Sequence, residues 1–221
     1  MKSRFSPGQL LLMIGVLVGL VTLIQAGALT IAFHKLGLSP DTALLLLITS
    51  LFGSVINLPL FTMAAEGPSQ PPPTFLRGLL RPHPMPFTGK TLVAMNVGGG
   101  LVPISFSVYL MGNSHAGLWH HAMVILGVSL ISYLVSRPIH GIGIGMPIFI
   151  APVAAALLAL LVNPEHSAAL AYSGGTLGVL IGADLLRLKD IRTMGTPIAS
   201  IGGAGTFDGI FISGIVAVLL A

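Results

Sequence analysis

Apolar residues fall into seven long runs, at roughly 9–33, 41–63, 91–111, 119–136, 142–162, 168–186 and 199–220. Each is near the ~17–25 residues a helix needs to cross the hydrocarbon core of a bilayer. The pattern predicts an all-α integral membrane protein of about seven transmembrane helices. The fourth run is the shortest. The fifth opens on Gly141-Ile142-Gly143-Ile144-Gly145-Met146-Pro147, which predicts an unwound first turn. Met1–Arg4 and Gln25-Ala26-Gly27-Ala28 have the outline of a signal peptide, but the apolar stretch runs on to Phe33. That is longer than a signal h-region, so the first run is expected to span.

Between the second and third runs lies the one substantial extramembrane segment, at about 64–90. Pro71-Pro72-Pro73, Pro82, Pro84 and Pro86 favour extended polyproline backbone there over a packed domain. Phe75-Leu76 and Leu79-Leu80, set among arginines, could lie on an anionic inner leaflet; the alternative is a plain cytoplasmic linker. The rest reads as a single transmembrane domain, residues 1–221. Charge then orients it. With the N-terminus inside, Lys2, Arg4, Arg77, Arg81, Lys90, Arg137, Arg187, Lys189 and Arg192 fall on the inner face, and Lys35 alone falls outside. This asymmetry predicts an N-in, C-out protein of the cell's inner (plasma) membrane.

Composition agrees. The chain is 54% hydrophobic and 7% charged, with a mean hydropathy of +0.96, whereas a soluble domain carries about 25% charged residues. A net charge of +4 is too small to imply nucleic acid. The absence of cysteine removes disulfides, Cys-ligated metals and thiol nucleophiles. Membrane lipid is the expected partner, and no cofactor is expected.

Small residues mark packing faces: Gly174, Gly178 and Gly182 recur every four residues on the sixth run, and Gly15 and Gly19 on the first. Polar groups within the runs mark chemistry. A carboxylate in a membrane segment costs about 2.5–3.5 kcal/mol even on gentle scales, so such residues are usually functional or specifically paired. Asp184 lies near the inner end of the sixth run, on the side away from the Gly182 ridge, and Asp208 near the inner start of the seventh. Asn57 and Asn96 fall at a similar depth. Irregular or polar backbone at that depth needs a protein or water lining, which predicts a polar cavity open to the cytoplasm, lined by Asn57, Asn96, Gly205 and Gly209. Two close carboxylates share a proton, one serving as general base on water and the other as general acid. The glycines around Asp208 would let an extended substrate backbone approach.

Two resemblances follow from these stretches. Ser50-Leu51-Phe52-Gly53-Ser54-Val55-Ile56-Asn57-Leu58-Pro59-Leu60, Ile181-Gly182-Ala183-Asp184-Leu185-Leu186 and the Gly202–Gly214 segment resemble an uncharacterised family of bacterial and archaeal polytopic membrane proteins. The last two runs, with Asp184 on an inward helix and Asp208 at the start of the next, distantly resemble the GxGD intramembrane aspartyl proteases, the presenilin and signal-peptide-peptidase class. That resemblance implies a catalytic Asp184–Asp208 pair and a transmembrane peptide substrate. The motif here departs from that class: Gly205-Thr206-Phe207-Asp208 replaces Gly-x-Gly-Asp, Ala183 stands where Tyr is usual, and no Pro-Ala-Leu follows.

Other readings remain beside it. Asp184 could pair with Arg187, and Asp208 could accept hydrogen bonds from amides of its glycine turn. A proton- or ion-coupled transporter built on broken helices would also place carboxylates at helix ends, as would a non-catalytic subunit or scaffold among other membrane subunits. His34, His115, His120, His121 and His166 gather on the outer face, but His120 and His121 point to different sides of a helix, so no metal site is expected. Ser50, Ser54 and Ser200 share depth only with His140, and Gly98-Gly99-Gly100 lacks the Lys and Ser/Thr of a phosphate loop, reading instead as helix packing or a kink.

Overall fold

The computed structural model describes residues 7–25, 27–65, 89–139, 143–203 and 209–221. It is mostly helical, with helices α1 (Pro7–Gln25), α2 (Ala28–Lys35), α3 (Pro40–Gly53), α4 (Val102–Asn113), α5 (Leu118–Val135), α6 (Ile150–Val162), α7 (Ser167–Val179) and α8 (Gly209–Leu220). Among the described residues two stretches are long and apolar enough to cross a membrane, Leu118–Val135 and Pro164–Leu185. The shorter helices include Pro40–Gly53, Ile150–Val162 and Ile210–Leu220.

The fold is not all-α, because several expected spans are part strand. The run at 41–63 divides into α3 and β1 (Asn57–Ala64), and that at 91–111 into β2 (Lys90–Asn96), a π-helical turn (Val97–Leu101) and α4. The last run divides into β5 (Ile198–Ile201) and α8, and the unwound start expected of the fifth is β4 (Gly143–Gly145), paired with β3 (Arg137–Ile139). An apolar run of such length does not distinguish one long helix from a helix joined to a buried strand. The first run also breaks, at Gly27 with φ +80°, a left-handed conformation that ends α1 and starts α2.

β1, β2 and β5 form one sheet in that order. β1 and β2 are antiparallel, from Asn57 opposite Asn96 to Ala64 opposite Lys90, with a register shift between Pro59 and Phe61. β2 and β5 are parallel, Leu92 opposite Ile198 through Met95 opposite Ile201. The strands therefore cap one end of the helices. The opposite end is closed where Ser167 Oγ and Lys35 Nζ donate to the last carbonyls of α8, Ala221 O at 3.3 Å and Val218 O at 3.5 Å.

α7 lies at the centre. The predicted glycine ridge is its contact with α5: a Cβ at Gly174 would sit 2.5 Å from Val124 Cγ1, at Gly178 2.6 Å from Val128 Cβ, and at Gly182 2.2 Å from Ser129 O. On another face Gly175 meets α8, where a Cβ would stand 2.9 Å from Ser213 O. At the smaller ridge, nothing among the described residues lies within 4 Å of a Cβ at Gly15 or Gly19. The bundle buries polar groups among apolar ones and turns large apolar side chains outward. α5 buries His121, Ser129 and Ser132 while Leu126, Leu130 and Leu134 face outward, and Leu157 and Leu161 do the same on α6.

The tightest backbone approach joins α3 to the π turn, where a Cβ at Gly98 would lie 1.8 Å from Ser50 O and 2.3 Å from Ser54 N. Gly98→Ala should lower stability by at least the ~1–3 kcal/mol of an overpacked core. Gly112→Ala, on α4 with open space around it, should be neutral or stabilising by up to ~1 kcal/mol. Thermal melts of the two variants in the same detergent check the contrast; equal shifts would contradict the packing.

Candidate functional site

Asn57 and Asn96, expected on neighbouring helices, instead face each other across β1 and β2 at the helical end of the sheet. Asn96 is fully buried and every polar atom of its amide is used. Its Oδ1 accepts from Gly99 N–H (2.8 Å), capping the π turn. Its Nδ2 donates to Ser54 O (2.7 Å), the residue that caps the C-terminus of α3, and to Asn57 Oδ1 (3.1 Å). Backbone partners on both sides thus fix which way this amide points. Asn57 Oδ1 in turn lies 2.5 Å from Ser200 Oγ, which is also 2.6 Å from Gly203 O. One node therefore ties the end of α3, the entrance to α4 and the end of β5.

Consecutive left-handed glycines complete it. Gly202 (φ +79°) and Gly203 (φ +92°) turn the chain out of β5, and a Cβ on Gly202 would meet Gly100 N at 2.6 Å. The triplet Gly98–Gly100 is thus a packing surface with a π-helical distortion, as its sequence suggests. Ser50 and Ser54, weighed as nucleophiles, spend their hydroxyls on the backbone: Ser50 Oγ donates to Gly98 O (2.5 Å) and Ser54 Oγ to Leu51 O (2.6 Å).

Asp184 is half-buried within a second π-helical turn, Leu180–Leu185, which extends α7. It lies two residues beyond Gly182, whose Cβ position faces Ser129 of α5. Arg187 pairs with Asp190 (3.0 Å) rather than with Asp184. The guanidinium also bonds Tyr133 O (2.7 Å) and Ser136 O (2.9 Å), closing the C-terminus of α5, and stacks over the Tyr133 ring at 4.4 Å. Sequence distance alone gives Asp184 and Asp190 equal claims on this arginine. The structure decides for Asp190.

Asp208 and Gly205 lie outside the described residues. Gly209 is the first residue of α8, so Asp208 immediately precedes that helix in the chain. α7 and α8 run antiparallel in step: Ser167 bonds Ala221, and Gly175 packs on Ser213. The equal spacing puts Gly209 level with Val179, and Asp184 farther toward the strand end.

One polar cluster escaped the sequence reading. His121 is fully buried between Ser114 Oγ and Ser173 Oγ, each 2.7 Å from a ring nitrogen. Ser173 Oγ donates to carbonyls of its own helix, Ala169 O at 3.0 Å or Leu170 O at 3.2 Å. It must then accept from Nδ1–H, which leaves Nε2 to accept from Ser114. His120 turns instead to Ala116 O. Among the described residues no three His, Asp or Glu side chains are grouped to hold a metal.

The node should govern stability more than its exposed member does. Asn96→Ala strands Gly99 N–H and Ser54 O in a buried site and should cost about 3 kcal/mol or more, while Asn57→Ala should cost about 1 kcal/mol. Denaturant unfolding of both variants tests this; an equal cost would mean that the Asn96 bonds carry no special weight.

No curated protein and no solved structure matches the chain. Residues 51–220, from the end of α3 to the end of α8, match the family described as protein of unknown function (DUF1614), and the chain belongs to that family.

Proposed function

We propose that the chain is a multi-pass membrane protein of about seven spans, its strand end facing the cytoplasm, in which Asp184 and Asp208 form a hydrolytic carboxylate pair acting on a transmembrane peptide. The observation that carries this reading is the setting of Asp184: a half-buried carboxylate in a π-helical turn at the strand end of the central helix. π-helical turns that interrupt helices are frequent at functional positions. Arg187, its nearest cation in sequence, bonds Asp190 and the end of α5. The outward leucines and inward hydroxyls of α5 suit lipid surroundings.

In this reading the ionised carboxylate takes a proton from water as the water oxygen attacks the scissile carbonyl. The protonated partner gives its proton to the departing amide nitrogen, so the pair ends with one proton, as it began. Asn57 and Asn96 act by fixing the sheet end beside the Gly202–Gly203 turn, not by touching the reacting atoms.

Ion- or proton-coupled transport is the second reading, favoured by a separate observation. α4, α6 and α8 all follow short strands at one end of the bundle, the interrupted-helix arrangement on which coupling-ion sites are built.

Photoreactive transition-state mimics of aspartyl proteases separate the readings. Wild type should be labelled, and Asp184→Asn and Asp208→Asn should each reduce labelling to background and any hydrolysis by about 10²–10⁴-fold, with folding unchanged. Equal labelling of all three proteins, or of none, would rule out the hydrolytic pair. Variants that retain substrate binding but lose its pH coupling would establish transport.

A further inference from the structure

The connection between the π turn of Asp184 and β5 contains a 3₁₀ turn, Leu188–Thr193, whose two faces differ sharply. Side chains three residues apart eclipse in a 3₁₀ turn. Leu188 packs against the core and Ile191 is buried, so the 188–191 row faces inward. The next row, Leu186, Lys189 and Arg192, is exposed, and Leu185 beside it is exposed as well. Asp190, the acid within the turn, is neutralised by Arg187, which also holds the turn against the end of α5. Arg137, exposed on β3, follows directly on the Ser136 that Arg187 binds. The outer face of this connection is thus two leucines beside Lys189 and Arg192, which form no ion pair among the described residues, with Arg137 on the neighbouring strand and the turn positioned by Arg187.

We infer that this face binds the headgroup of an anionic phospholipid, with the phosphate between Lys189 and Arg192 and the acyl region against Leu185 and Leu186. Cations alone would suit any phosphate; the adjoining exposed leucines select a lipid. Basic residues at such a surface each contribute on the order of 1 kcal/mol, or about fivefold, to anionic lipid binding. The site does not depend on the hydrolytic reading. Because the turn joins the segment of Asp184 to the strand that leads into α8, an occupied site would brace both.

The test uses the purified full chain in mild detergent, with bound lipid counted by native mass spectrometry after titration with phosphatidylglycerol or phosphatidylcholine. Wild type should retain phosphatidylglycerol preferentially, and Lys189→Gln/Arg192→Gln should lose about 25-fold of that preference. Leu185→Ser/Leu186→Ser should weaken both lipids alike. If the charge variant does not fold, wild type at rising salt serves in its place, since screening should remove the preference. Equal retention of the two lipids, a salt-independent preference, or competition by millimolar inorganic phosphate would overturn the proposal.

Discussion

The Asn96 side chain is the constraint on which the polar end of this bundle depends. A buried amide in apolar surroundings must have all its hydrogen-bonding groups met, since each left unpaired costs several times a normal bond's net contribution. Asn96 meets this by joining the last residues of α3, the first amides of the turn into α4, and Asn57 at the head of β1. Because Asn57 in turn contacts Ser200, the end of β5 is held in the same network. The glycines nearby follow from this. Gly98 lies so close to Ser50 and Ser54, and Gly202 to Gly100, that no side chain fits between the segments the amide joins.

The second constraint is the pairing of inside with outside. α7 meets α5 through glycines and carries Tyr172, Ser173 and Thr176 buried, while α5 and α6 turn leucines outward. Association here rests on close approach and on hydrogen bonds between helices. His121 illustrates the second term. Its two nitrogens join the turn after α4 to α7, in a tautomer dictated by the carbonyls behind Ser173.

The legible parts of the chain were those where one local signal has one meaning. The Gly174–Gly178–Gly182 ridge has the spacing of a close helix approach, and it is one. Asn57 and Asn96 were matched by depth and do meet, though on strands. The strands themselves were hidden because both faces of β2 and β5 are covered and their residues are as apolar as those of a span. Gly15 and Gly19 have the spacing of a ridge but no helix opposite among the described residues, a fact that sequence spacing alone does not contain. The partner of Arg187 was equally hidden: Asp184 and Asp190 both lie three residues away, and only the turn from π to 3₁₀ geometry decides between them.

That decision reaches back to the candidate site. By taking Asp190 and the carbonyls of Tyr133 and Ser136, Arg187 ties the connection that follows α7 to the end of α5. The depth of Asp184 is then set from two directions: by this clamp at the strand end, and by the Ser167–Ala221 and Gly175–Ser213 contacts that keep α7 and α8 in step. The start of α8 is set separately, through the parallel pairing of β5 with β2 and the Gly202 contact. Asp184 thus sits half-buried where these two constraints meet, in the π turn that joins α7 to the connection leading into β5.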